Sequence, residues 1–335
     1  MDPKPSLETG MELPPSVETP NNAPETKEKE PAPSLLPGTE TERQEKSREV
    51  GFDNSPEARV RDVLSLAGSG LSAEQGSQLA TMLASENSVS TQQLEQFFPD
   101  PKDRREWAKT LATTLESKVK ASGFVERVKL FFTKTNAHTN ERAMLLARAL
   151  QWQGEQSGRQ DIRVLYPASG EDTIDVLRTV GNTPLEQVTC VTDADRPFQQ
   201  ALQKVEKQGK KAEAVTSYLG EAMKADKEGN IAVPEGSADC LLVDASGVGA
   251  LMETQKEFGD ARLTDTINRL VPEGGTIVAI KAISMGSNVA KNDTTIRAFI
   301  SRLPPGEYRF VAETGDGFII QRVKKEKAAL EQQAA

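Results

Sequence analysis

The spacing of apolar positions changes near residue 160 and divides the chain in two. Before that point it is helical. Ser55-Pro56 has the form of an N-cap and a first helical residue, and Val60, Val63, Leu64 and Ala67 then recur at helical intervals until Gly68 and Gly70. Ser72 with Gln75, and Ser90 with Gln93, are capping-box pairs that open two short helices. Asp100-Pro101 opens a longer one, with Trp107, Leu111, Leu115 and Val119 on one face and Gly123 at its end. Another helix runs from about Asn140 to Trp152. Residues 56–155 are thus predicted to be a small all-helical region of about five or six helices.

From Asp161 the rhythm becomes strand, helix, strand. Ile162–Tyr166, Val188–Thr192, Ala238–Val243 and Thr276–Lys281 are short apolar runs that read as buried strands, and Ala212–Ser217 is a weaker one. Helical patterns lie between them: Ile174, Leu177 and Val180 up to Gly181; Phe198, Leu202 and Val205; a helix ending at Arg269-Leu270; and residues 294–303. Such alternation predicts an α/β fold, a parallel sheet covered by helices on both faces. The last two strands, Tyr308–Ala312 and Phe318–Val323, are joined by Thr314-Gly-Asp-Gly317. So short a connection permits only an antiparallel hairpin.

Composition adds a third region. The whole chain is 36% hydrophobic and 27% charged, and residues 1–55 hold 12 acidic and 6 basic side chains with 9 of the 19 prolines. Runs such as Pro24-Glu-Thr-Lys-Glu-Lys-Glu-Pro31 bury too little apolar surface to offset ordering the backbone, so this segment is expected to be a disordered acidic, Pro-rich tail. It carries net −6 of the total −9. The remainder is nearly neutral, and nucleic-acid binding is not indicated. No basic start precedes an apolar run near Met1, and no stretch approaches the roughly 18 apolar residues of a membrane span. The chain therefore reads as soluble and cytoplasmic, with the tail or the helical region as places for a protein partner.

Cys190 and Cys240 both sit in short apolar runs and read as buried, reduced strand residues, with neither a disulfide framework nor a zinc site indicated. His138, the only histidine, lies in the polar stretch Thr-Asn-Ala-His-Thr-Asn with no second ligand nearby, and reads as a solvated loop residue.

Four segments carry a resemblance. Val164-Leu-Tyr-Pro-Ala-Ser-Gly170 follows the first strand of the sheet, Asp193 in Val-Thr-Asp-Ala-Asp195 follows the second, and Asp244 in Leu-Leu-Val-Asp-Ala-Ser-Gly247 follows the fourth. Leu270-Val-Pro-Glu-Gly-Gly275 precedes the fifth. With the terminal hairpin, residues 161–325 resemble the class I S-adenosylmethionine-dependent methyltransferases, leaving 326–335 as a C-terminal tail. The resemblance implies a seven-stranded doubly wound sheet and S-adenosylmethionine as cofactor. The methionine part of the cofactor would lie against Tyr166, Ala168, Ser169 and Gly170, and its ribose against Asp193. Asp244 would stand near the reacting methyl group as catalytic base, and no metal is implied. Physical placement agrees: ligands of open α/β sheets bind beyond the carboxyl ends of the strands at the topological switch point, where Tyr166, Asp193, Asp244 and Lys281 all fall. The implied strand order also puts the strands of Cys190 and Cys240 on opposite sides of the first, ~10 Å apart and too far for a disulfide.

The chain departs from the family in the cofactor loop. Where the family has an acidic residue and then glycines, this sequence has Tyr166, Ala168, Gly170 and Asp172. Alanine and aspartate tolerate positive φ less well than glycine, and Glu171 with Asp172 would face the cofactor's carboxylate. The fourth strand ends in Asp-Ala-Ser-Gly rather than the Asn/Asp-Pro-Pro-Tyr motif of exocyclic-amine methylation. Lys281 is similar to a lysine that some ribose 2′-O-methyltransferases carry at the end of the fifth strand. Two readings stay open beside an active enzyme on an undetermined substrate: a catalytically silent binding or scaffold module, and another nucleotide-binding doubly wound protein. The second of these lacks support from the hairpin and from any Gly-x-Gly-x-x-Gly after the first strand.

Overall fold

The structure is a computed structural model that describes residues 34–86, 88–114, 119–120, 141–168, 176–177, 179–192, 202–281 and 289–323. The first of them lie inside the segment that the sequence assigns to the tail. Helix α1 (Glu40–Glu49) is closed by a capping box in which Thr39 and Glu42 satisfy each other's backbone amides. Only Ser47 is buried on it, so no apolar period marks it as a helix. Its anchors flank it. Leu35 is buried in the core on one face of the main sheet and Phe52 in the core on the other. Between them α1 packs along the sheet's edge strand, Tyr308–Thr314, and covers that edge. The tail boundary at residue 55 is corrected accordingly.

Helices α2 (Pro56–Leu66) and α3 (Ala73–Ser85) begin on the N-caps Ser55 and Ser72 that the sequence predicts. Ser90 and Gln93 bond each other's backbone amides and open a 3-10 turn, Gln93–Gln96. Helix α4 (Pro101–Thr114) stops short of its expected end. Val119 lies instead in strand β2 (Val119–Lys120), paired in parallel with β1 (Val89–Ser90). The region is therefore not all-helical: Val119 is buried by pairing with Val89 rather than by a helix face.

Helix α5 (Glu141–Ser157) is buried on two sides. Met144 and Ala147 join the core of the helical region, while Leu145, Leu146, Ala149, Leu150 and Trp152 pack on the sheet. Its Arg148 is inside the protein, where its guanidinium donates to Asp62 (2.7 Å), Asn54 Oδ1 (3.0 Å) and the Asp53 carbonyl (2.7 Å). That arginine ties the segment after α1 to α2 and α5.

The sheet contains β3 (Ile162–Tyr166), β4 (Leu185–Thr192), β5 (Lys211–Thr216), β6 (Cys240–Val243), β7 (Thr276–Ile280), β8 (Tyr308–Thr314) and β9 (Gly317–Arg322). Their spatial order is β5-β4-β3-β6-β7-β9-β8, parallel except that β9 runs against both neighbours. Along each central strand, successive side chains alternate between two cores. Leu165, Leu241, Val243, Ile277 and Ala279 belong to one, and Val164, Tyr166, Cys240, Leu242, Val278 and Ile280 to the other. Helices α6 (Leu219–Ala222), α7 (Ala245–Phe258), α8 (Leu263–Leu270) and α9 (Val289–Ile300) complete the described elements. Cys190 and Cys240 are buried free thiols on the strands flanking β3, as expected.

Two glycines are required. In the turn before β7, Gly274 has φ +86° and Gly275 N bonds Pro272 O, a type II arrangement that needs glycine third. At Gly317 a Cβ would lie 2.3 Å from Ala279 O and 2.8 Å from Leu145 Cδ2, so the hairpin reaches β7 only without a side chain there. At the amino end of the sheet, the Asp239 carboxylate accepts from Arg159 Nη1 (2.6 Å), Arg163 Nε (3.0 Å) and Arg163 N (3.0 Å). Its carbonyl accepts from Thr276 N (2.9 Å) and Gln153 Nε2 (2.8 Å). That residue fastens β3, β6, β7 and α5 together at the end away from the site.

Candidate functional site

From β3 the chain moves outward through β4 to β5, then returns to the other side of β3 as β6. The switch point therefore lies between the carboxyl ends of β3 and β6. Tyr166 ends β3, but it is 1% exposed and its ring belongs to the core beneath the sheet. Strand alternation turns its side chain inward, with the hydroxyl near Asp244. The backbone beyond it behaves differently. Ala168 has φ +51°, a left-handed conformation that glycine ordinarily supplies. Ser169, Gly170, Asp193 and the paired acids Glu171 and Asp172 lie outside the described residues, as does His138.

Asp244 follows β6 directly and is 8% exposed. It is the N-cap of α7: its Oδ1 accepts from Gly247 N at 2.8 Å. Burial pushes its pKa up, and the Gly247 and Ser246 amides and the nearby Tyr166 hydroxyl oppose that rise without cancelling it. Gly247 matters here as well, since a Cβ on it would stand 3.2 Å from Pro167 O. The first turn of α7 thus lies directly against the β3 loop.

On the other side of the site, Lys281 closes β7. Its amine donates to Glu313 Oε1 (2.9 Å) and Thr314 O (3.2 Å) and sits 4.6 Å from the Phe318 ring centre. Arg297 Nη2 shares the same Glu313 oxygen at 2.8 Å. Burial would raise the Glu313 pKa, but the Lys281 bond and the charges of Lys281 and Arg297 outweigh it and hold the carboxyl below its usual range. Glu313 was not singled out from the sequence. The signal was the hairpin: its turn must return beside the end of β7, as the pairing Ile280↔Gly317 shows, so the residues before the turn reach Lys281. Beyond β4 and β5, Ser217 N bonds Thr192 O at 2.8 Å, and Tyr218 next to it is 65% exposed.

Among the described residues no group of three His, Cys, Asp or Glu side chains is placed to hold a metal, and no helix is long and apolar enough to cross a membrane. A separate cleft of about 470 Å³ lies between the α2–α3 turn and α5, lined in part by Arg61, Ser69, Gln151, Glu155 and Asn182.

No family model matches the chain. No curated protein matches it. Among solved structures it is similar to the Methanococcus jannaschii fibrillarin pre-rRNA processing protein, at 15% identity over 50% of this chain and 69% of that one, with a TM-score of 0.29. It is also similar to the B. subtilis M1A22 tRNA methyltransferase TrmK, at 14% identity over 57% of this chain and 69% of that one, with a TM-score of 0.31. Its own strand order, five parallel strands closed by an antiparallel pair with the switch point beside the first, is that of a class I methyltransferase-like fold.

Proposed function

We propose that the protein binds S-adenosylmethionine across the carboxyl ends of β3, β4 and β6 and transfers its methyl group to a substrate. The supporting observation is the contact at the switch point, where the left-handed backbone of Ala168 and the missing side chain of Gly247 bring the β3 loop against the first turn of α7. Ala168 adopts the left-handed backbone that glycine ordinarily supplies, and this supports a cofactor-binding turn after β3. Residues 168–170 would hold the methionine part through their backbone, and Asp193 the ribose hydroxyls. Bound there, the cofactor supplies an electrophilic methyl group on a sulfonium. The chain's contribution is alignment, with Asp244 as the candidate base: a carboxyl whose pKa burial raises is a stronger base than an exposed one. Its two buried free thiols suit the cytoplasm.

A silent binding module is the second reading, favoured by one observation: Asp244 already spends Oδ1 on capping α7. Calorimetric titration with S-adenosylmethionine and S-adenosylhomocysteine bears directly on both. Saturable binding that Asp193→Ala abolishes supports the proposal. Absence of heat at millimolar ligand overturns it.

A further inference from the structure

Glu313 divides its carboxylate between two parts of the molecule. Oε1 receives Lys281 Nζ, just after β7, at 2.9 Å and Arg297 Nη2 of α9 at 2.8 Å. Oε2 faces Arg43 Nε of α1 at 3.3 Å. The backbone of the same residue is held from the same segment, since Asn54 Nδ2 donates to Glu313 O at 3.2 Å. Glu313 and Lys281 have side chains only 12% and 16% exposed, so this carboxylate is the principal counter-charge available to the amine.

Helix α1 has little else to set its orientation. It is polar all round with only Ser47 buried, and the apolar anchors Leu35 and Phe52 fix its ends rather than its face. Arg43, which also bonds Glu40 of its own helix, is the charged residue through which that helix meets Glu313 of β8. We propose that α1 is a positioning element of the site at the end of β7, with Arg43 holding Glu313 and Glu313 in turn holding Lys281. The segment that sequence assigns to a solvated tail is then part of the site's construction. The inference goes beyond methyl transfer and does not require it, because Lys281 itself can be observed.

Other charged groups facing this amine are Asp293 of α9, 4.0 Å away, and Arg297, which lies over the same Phe318 ring at 5.1 Å. Asp316 in the hairpin turn accepts from Lys281 N through its carbonyl and pairs with Arg142 of α5 at 3.7 Å. None of these bonds involves α1, so a change at Arg43 reaches Lys281 only through Glu313.

The test is NMR of the full chain with ¹⁵Nζ-labelled lysine, in which an ammonium held by a carboxylate exchanges its protons slowly enough to be seen. Lys281→Arg identifies the signal. Glu313→Gln should abolish it. Arg43→Ala, which removes no contact of Lys281, should speed its proton exchange roughly two- to fivefold, the scale of a partly exposed ion pair. Arg43→Lys should restore it in part, and Arg43→Gln offers a second release of Glu313 should the alanine variant fold poorly. An unchanged Lys281 signal in both Arg43→Ala and Arg43→Gln overturns the proposal, as does the absence of a protected Lys281 ammonium in the unaltered protein. Titration with S-adenosylmethionine is a separate measurement, so failure of one reading leaves the other standing.

Discussion

Replacing Asp239 by asparagine keeps the side chain's shape and removes its charge. The carboxylate accepts five hydrogen bonds: Arg159 Nη1 (2.6 Å) and Nη2 (3.3 Å), and Arg163 N (3.0 Å), Nε (3.0 Å) and Nη2 (3.4 Å). Its own side chain is 3% exposed, whereas the arginines are 40% and 41% exposed. A charged hydrogen bond in a buried setting contributes ~1.5–3 kcal/mol, but guanidiniums in contact with water recover much of the loss, and each exposed ion pair is worth only ~0.2–1 kcal/mol. One bond to the enclosed Arg163 amide plus two discounted ion pairs gives about 3 kcal/mol. For a chain of this size that lowers Tm by roughly 4–6 °C.

The dependence on pH follows from the same residue. Burial alone would raise the Asp239 pKa, but the bonds from Arg163 and Arg159 outweigh it and hold it below its ordinary value. The unfolded chain then binds the proton more readily than the folded one. The stabilisation is fully present above the unfolded value of about 3.9 and is lost as pH falls through the folded value. Thermal unfolding followed by circular dichroism should show the full gap between Asp239→Asn and the unaltered protein at pH 7, and a closing gap below pH ~4. A gap under ~2 °C at neutral pH, or one that persists undiminished in acid, would refute the reasoning.

Substitutions at three further positions probe the site and its supports. Gly317→Ala should lower the denaturant midpoint by the equivalent of ~1–3 kcal/mol, because the added Cβ meets the backbone of β7, which cannot yield as a side chain could. Asp244→Asn should keep the α7 cap, since asparagine caps as well as aspartate, while Asp244→Ala should cost ~1 kcal/mol in chemical denaturation. Because burial raises the Asp244 pKa, the ionised form is penalised in the folded state and stability falls as pH rises through the window above 3.8; the advantage of Asp244→Asn should therefore grow from acid to neutral pH in paired melts. Ala168→Gly should stabilise by about 0.5 kcal/mol in the same assay, as relief of the left-handed backbone, ~1–2 kcal/mol, exceeds the added freedom of the unfolded chain.

The sheet was legible because its strands are buried on both faces and spell continuous apolar runs, as in Cys240–Val243 and Thr276–Ile280. The Thr314-Gly-Asp-Gly317 turn fixed the direction of the last strand. Periodicity could not find α1, whose helix carries no apolar stripe and whose anchors, Leu35 and Phe52, lie outside it. Nor could it end α4, since Val119 sits at a helix-compatible interval and is claimed instead by Val89. At the site, sequence marked Asp244 and Lys281 by their strand ends. It did not show that Tyr166 turns inward, because the residue that closes a strand can face either core, and that depends on the register set upstream. Glu313 escaped notice because its partners are distant in sequence.

Covering β8 with α1 also orders events in time. Asn54 and the residue it holds are separated by 259 positions, so when the first helix emerges during synthesis its binding surface does not yet exist. Contacts of such long sequence separation form slowly and leave surfaces bare meanwhile. The hairpin β8–β9 must first be made and laid against β7. The first helix of the described chain is in that sense among the last pieces to arrive, and a chain cut off before residue 308 would leave β7 as the bare edge of its sheet.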